Sequence, residues 1–160
     1  MKSVLSLLLL LILASQSVRA SDDLLMVRSN MDFPEAMSVL QNSIIEHQYT
    51  LSRVQRVDIG LEKAGYETDR YRIVFFGKQG ELKSMTDKHP ELAAYLPLKM
   101  VIFAERDDTL LIAYNPMHLQ QIVDAPEYNL IYSRWLSDMK SILSDLTQAD
   151  TLNESLVSNQ

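Results

Sequence analysis

Residues 98–114 read LKMVIFAERDDTLLIAY. Two runs of β-forming residues, Leu98–Ala104 and Thr109–Tyr114, flank the charged tetrad Glu105-Arg106-Asp107-Asp108. Branched and aromatic runs around a short polar break predict a β-hairpin, with Asp tolerated at a positive-φ turn position, though less well than Gly. The first run is apolar on both parities. Leu98, Met100 and Ile102 fall on one side, Val101 and Phe103 on the other. A strand apolar on both faces is expected to be buried on both, so something must cover each face of its sheet.

Working outward, Arg70 to Phe76 alternates as a second good strand: Tyr71, Ile73 and Phe75 share one face, Arg70, Arg72, Val74 and Phe76 the other. Gly77 ends it. Tyr49 to Val57 reads as a strand whose alternation fails around Val54, where a bulge or an early end fits. Between these two, Asp58 to Thr68 reads as a turn or short helical connection. Residues 84–95 read as a short helix or ordered loop feeding Pro97. Leu24 to Arg28 reads as a first strand. Asp32 then opens a helix as N-cap, with Pro34 in the first turn and Glu35 three residues on. Phe33, Met37, Leu40 and Ile44 form its stripe, and it should end near His47. Asp124-Ala125-Pro126-Glu127 repeats that opening, and Tyr128, Ile131, Trp135, Met139, Ile142 and Leu146 run down one face of a final helix. The order β-α-β-β-β-β-α predicts an α+β domain: a curved antiparallel sheet of about four to five strands with two main helices on one face.

The N-terminus sets the compartment. Met1-Lys2 is a short basic start, Val4 to Ala14 an almost unbroken apolar run, and Val18-Arg19-Ala20 a suitable peptidase site before Ser21. That is the secretory pattern. The run is short for a membrane span, which needs about 20 residues. Residues 1–20 are therefore expected to be a signal peptide, 21–149 a single domain and 150–160 a disordered polar tail. Loss of Lys2 and Arg19 with the leader takes the formal net charge from −6 to −8. Nucleic-acid binding needs clustered positive charge, so that balance argues against it and against anionic membranes. The chain has no cysteine, which excludes disulfides, thiol nucleophiles and a lipidated cysteine at the cleavage site. It also suits an oxidising compartment.

The block Pro90-Glu91-Leu92-Ala93-Ala94-Tyr95-Leu96-Pro97-Leu98-Lys99, followed by Val101 and Glu105, resembles the domain of unknown function 302 family. So do Tyr114-Asn115-Pro116, Glu46-His47-Gln48-Tyr49-Thr50 and Phe75-Phe76-Gly77. The resemblance spans about residues 24–147. It implies a compact fold similar in topology to TATA-box-binding-protein-like domains, and dimers. It implies no agreed activity. Many members carry an Asp-His pair after the second strand and Gly-Asn-Pro after the third; here those places read Asp58-Ile59 and Gly77-Lys78-Gln79.

Catalytic patterns are sparse. His47, His89 and His118 share no short metal-ligand spacing. Ser84, Ser133 and Ser137 lack a nucleophile-elbow frame, and Gly60 and Gly65 lack a phosphate-loop ending. Met26, Met37, Met100 and Met139 fall on apolar faces and read as core filler. Arg70 and Arg72 project from one strand face, roughly 6.6–6.8 Å apart, and could grip an anion with Arg53 or Arg56; the competing account pairs them with Glu105, Asp58 or Glu67. Glu105, Tyr114 and Asn115 sit at strand ends as further ligand candidates, although Asn115-Pro116 is also a turn starter and Glu105 can pair with Lys99 or Arg106. No metal site, cofactor or catalytic residue is assigned.

The reading is a periplasmic or secreted, non-enzymatic ligand-binding or protein-interaction module, expected as a homodimer, with a small anionic ligand or an envelope protein as partner. The alternative is a small-molecule or metal-dependent enzyme using scattered acid, His and Arg groups. Export makes a direct prediction. N-terminal sequencing of the mature protein should begin at or near Ser21; a soluble cytoplasmic protein starting at Met1 would overturn it.

Overall fold

The computed structural model describes residues 23–157; the expected signal peptide and its cleavage site lie outside them. The chain runs β1 (Leu24–Ser29), α1 (Phe33–Glu46), β2 (Thr50–Arg56), α2 (Val57–Lys63), β3 (Tyr71–Gly77), α3 (Gln79–Lys88), a 3-10 turn (Pro90–Ala94), β4 (Leu98–Glu105) and β5 (Asp108–Tyr114). Two more 3-10 turns (Pro116–Gln121, Pro126–Tyr128) lead into α4 (Asn129–Val157). All five strands pair antiparallel in one open sheet, ordered β1-β5-β4-β3-β2. The hairpin at 98–114 supplies the central strand and one of its two neighbours, because β4 lies in the middle and β5 beside it.

Local chemistry sets the elements. The Asp32 carboxylate accepts the Glu35 N–H at 3.0 Å and starts α1. Phe33, Ala36, Leu40 and Ile44 then bury one stripe. His47 closes the helix, and Gln48 turns the chain with φ 63° into β2. The pairing of β2 with β3 shifts register between Leu51 and Arg53, so the bulge lies just before Val54. In the hairpin the positive φ, 58°, falls on Arg106 and not on an Asp. Asp108 already belongs to β5, opposite Glu105, which leaves Arg106 and Asp107 to make the turn.

The helical elements extend beyond the sequence reading in two places. The connection 57–63 takes the helical one of its two readings, so β2 stops at Arg56. Segment 79–88 is also a helix; Met85 is buried and Leu82 packs against the core. The last helix begins at Asn129 and not at Asp124, since Val123 and Ala125 are both drawn into the core ahead of it. It also continues to Val157 where a disordered tail from residue 150 was expected. Asp150 is anchored where that tail would begin: its carboxylate accepts the Ser29 hydroxyl at 2.9 Å and the Met31 N–H at 3.2 Å. At 29 residues α4 is about 43 Å long.

The core lies between the helices and one sheet face. Tyr132, Trp135, Met139, Ile142, Leu143 and Leu146 of α4 meet Leu40 and Ile44 of α1, Val74 and Phe76 of β3, Met100 and Ile102 of β4, and Leu111 of β5. Two buried tyrosines in this core differ in one respect. The Tyr49 hydroxyl donates to Asp138 Oδ2 at 2.5 Å, whereas the Tyr132 hydroxyl is buried with no hydrogen-bond partner among the described residues. Burial first, and the Asp138 carboxylate second, push the Tyr49 phenol far up. A hydrogen bond to a charged group is worth about 1.5–3 kcal/mol, while an unpaired buried hydroxyl only costs. Tyr49→Phe should therefore lose about 2 kcal/mol in urea unfolding, and Tyr132→Phe should be neutral or stabilising. A Tyr132→Phe variant as destabilised as Tyr49→Phe would contradict this assignment.

Candidate functional site

The five sequence-derived candidates do not converge. Arg70 and Arg72 do share a face, but it is the helix-covered one, with Val74 and Phe76, and not the open face. Arg72 forms a salt bridge with Asp58 of α2, and both side chains are largely buried. Asp58 also accepts its neighbour's Ile59 N–H at 2.8 Å. The hydrogen bond from Arg72 holds the Asp58 carboxyl below its ordinary 3.8, against the opposing effect of burial. The intramolecular account is therefore the observed one for Arg72. Arg70 stays exposed, its guanidinium 6.0 Å from the Phe33 ring. It borders a concavity of about 460 Å³ shared with Arg106 and with Asp32, Asp69, Asp107 and Asp108, where four carboxylates outnumber two guanidinium groups and disfavour an anion.

Glu105 lies at the hairpin turn, where Arg28 pairs with it; Lys99 and Arg106 do not. Tyr114 sits opposite Leu24 at the other end of β5, roughly 20 Å of strand from Asp108. Its hydroxyl is buried without a hydrogen-bond partner among the described residues, and burial pushes the phenol far up. Asn115 caps the following 3-10 turn by accepting the Met117 N–H at 2.9 Å. The turn-starter account thus describes what Asn115 does. The histidines are dispersed too: His47 lies 3.4 Å from Asp145, His89 3.3 Å from Glu91 and His118 2.8 Å from Asp23. Among the described residues no three His, Asp or Glu side chains converge as a metal site.

Two surfaces stand out instead. The first is the sheet face away from the helices. Burial alternates strictly along β5 and through most of β4, with one parity fully buried and the other half-exposed. The half-exposed parity carries Val101 and Phe103 of β4 and Leu110 and Ile112 of β5. Register places Ile73 and Ile112 on either side of Val101, and Tyr71 and Leu110 on either side of Phe103. The Tyr71 and Phe103 rings meet edge to face at 5.9 Å. Leu24 and Met26 on the edge strand continue the face and are each 54% exposed. Charges lie at its two ends: Arg53 and Lys99 at one, Arg28, Glu105 and Asp108 at the other.

The second is a cleft of about 540 Å³ at the Lys99 end, bounded by the start of β2 (Thr50, Ser52), Gly77, α3 (Gln79, Leu82, Lys83, Thr86), and Ala93, Leu96 and Pro97. Gly77 and Leu82 meet at its wall. A Cβ on Gly77 would lie 2.3 Å from Leu82 Cδ1, so a side chain there would force Leu82 to shift. The resemblance stretches Phe75-Phe76-Gly77 and Leu96-Pro97 both border this cleft or its neighbours, a placement that the individual motifs did not reveal.

A single open antiparallel sheet with its helices on one side, and the other side apolar, defines an α+β domain of the open-faced sandwich class. The sequence matches the model of the family described as Domain of unknown function DUF302 over residues 25–146, and the chain belongs to that family. A search of curated proteins finds no match. Among solved structures the chain is similar to the crystal structure of an uncharacterized conserved DUF302 protein from Bacillus stearothermophilus, with a TM-score of 0.69 at 16% identity. That alignment covers 77% of this chain and 97% of the other.

The two arginines can be separated experimentally. Removing one partner of a buried ion pair strands the other charge, so Arg72→Gln should cost about 3 kcal/mol. Arg70→Gln should change stability by less than about 0.5 kcal/mol. The sign with pH follows from the depressed Asp58 carboxyl. Its contribution is complete above the ordinary carboxylate value of 3.8 and is lost as pH falls through the lower folded value. Wild type should therefore lose its advantage over Arg72→Gln as the melts are taken to acid; an advantage independent of pH would rule out the Asp58 pairing as its source.

Proposed function

We propose that this protein is an exported binding module that works by pairing its open sheet face with a second copy of itself. The export half rests on the basic, apolar and small-residue pattern of residues 1–20. The pairing half rests on one observation: the half-exposed, apolar parity of β4 and β5, extended by Leu24 and Met26. Five strands of about seven residues present a face of roughly 24 by 22 Å, or on the order of 500 Å² in projection. Its apolar centre, between the charged ends, is only part of that area; contiguous exposed apolar patches of a few hundred Å² are commonly functional. The groups on offer are methyl, methylene and ring surface, which bind by shedding water.

A second copy fits better than an unrelated protein because the face is complementary to itself. Lys99 and Glu105 mark opposite ends of β4, roughly 20 Å apart. A copy turned end for end brings Arg53 and Lys99 of one chain against Glu105 and Asp108 of the other, where they join Arg28, which already lies against both carboxylates. That is the geometry of a two-fold, isologous interface with an apolar centre and a charged rim.

Sedimentation equilibrium at micromolar concentration should give twice the mass of one chain. Val101→Glu, at the centre of the face between Ile73 and Ile112, should give monomers with an unchanged far-UV spectrum. A monomeric wild type, or a Val101→Glu dimer as tight as wild type, would overturn the reading.

A further inference from the structure

The geometry points to a ligand site in the cleft between α3 and the start of β2, shaped for a small amphipathic anion with an apolar body and one carboxylate. At about 540 Å³ the cleft has the size of ligand pockets, which run to several hundred Å³. Gly77, Leu82, Ala93, Leu96 and Pro97 give it apolar walls. Its polar groups are sorted in a way that selects charge. Lys83 is the single ionisable side chain lining it, in a protein with a formal net charge of −6. A cationic ligand would meet Lys83 and no carboxylate on the walls. A purely apolar one would make no use of Lys83, Thr50 or Gln79.

Hydrogen-bond accounting points to the same head group. The Ser52 hydroxyl already donates to the Phe75 carbonyl at 3.1 Å, and the Thr86 hydroxyl to the Leu82 carbonyl at 3.0 Å. Among the described residues the Thr50 hydroxyl and the Gln79 amide make no hydrogen bond within the chain. Both can donate, as can Lys83, and all three suit a carboxylate, which only accepts. Lys83 is held by Asp87 one helical turn on, at 2.6 Å, but both side chains are well exposed. Exposed pairs of this spacing are weak, so the ammonium is free to change partner. Asp87 thus competes with the ligand for Lys83. The site does not depend on pairing of the sheet faces, since its walls come from one chain.

The probe is decanoate below its micellar concentration, with decylammonium and decanol as matched cationic and neutral chains, followed by amide chemical shifts. Decanoate should give saturable shifts confined to residues 50–52, 77–86 and 93–97. Lys83→Glu should weaken it roughly tenfold or more, Asp87→Asn should tighten it, and Ala93→Trp should abolish it by filling the cleft. Decylammonium should give no shifts there, and decanol should bind more weakly than decanoate. Shifts that are absent, or spread over β4 and β5, overturn the site. Decanol binding as tightly as decanoate, or a Lys83→Glu variant that binds as wild type does, overturns its selectivity. The Val101→Glu variant separates the two proposals: it should bind decanoate normally, and a loss of binding there would place the ligand at a subunit interface instead.

Discussion

The aromatic and aliphatic stripe of α4, pressed against the inner sheet face, is the interaction on which the other elements depend. Trp135, Tyr132, Met139 and Ile142 are all essentially inaccessible. Burying each such side chain is worth about 1.5–3 kcal/mol, so one helix supplies a large part of what offsets chain entropy. The polar edges of the same helix fix its neighbours. Trp135 Nε1 donates to Glu81 Oε1 at 2.8 Å, and Arg134 reaches the other oxygen of that carboxylate, which anchors α3. Asp145 accepts the Ser43 hydroxyl from α1 at 2.5 Å, and Asp150 holds the β1–α1 corner through Ser29 and Met31. A single element therefore registers both sheet edges and two helices.

This economy has a consequence. All the large helices are used on one side, so the sheet is a two-layer structure with one layer of cover. The outer parity of β4 and β5 is apolar nonetheless, although an outward-facing parity in an antiparallel sheet is ordinarily polar. The parity pattern of residues 98–103 thus describes two contacts, one internal and one external, and the fold satisfies only the first.

The same degeneracy explains what was legible in the sequence and what was not. The start of α1 could be read because Asp32 carries its own capping chemistry, and strands because 70–76 and 98–114 alternate. The five-stranded α+β architecture follows from these. The side on which Arg70 and Arg72 lie could not be read, because β3 is apolar on both parities: Tyr71, Ile73 and Phe75 against Val74 and Phe76. Only the tertiary partner decides, and it turned Val74 and Phe76 inward together with Arg72, where Asp58 meets it. Helix α3 was partly missed for a related reason. In Gln79–Lys88 only Leu82 and Met85 are large and apolar, too few to show a period. Near the end of α4, Asp150 is tied to partners about 120 residues earlier, which a reading of the local polar sequence does not show.

The cleft arises from that weakly patterned helix. A polar helix cannot bury itself on its own stripe, so α3 is held by points: Met85 in the core, Glu81 on Trp135 and Arg134, and Leu82 against the bare backbone of Gly77. Three point contacts leave the rest of its face, Gln79, Lys83 and Thr86, beside the sheet but not sealed to it. A helix with a full apolar stripe would have closed the gap and left no cavity. The feature that hid α3 from sequence reading is therefore the one that keeps the end of the sheet open. Any ligand that occupies the gap gains its walls from residues that the fold has already fixed for other reasons, and so pays little ordering entropy to bind.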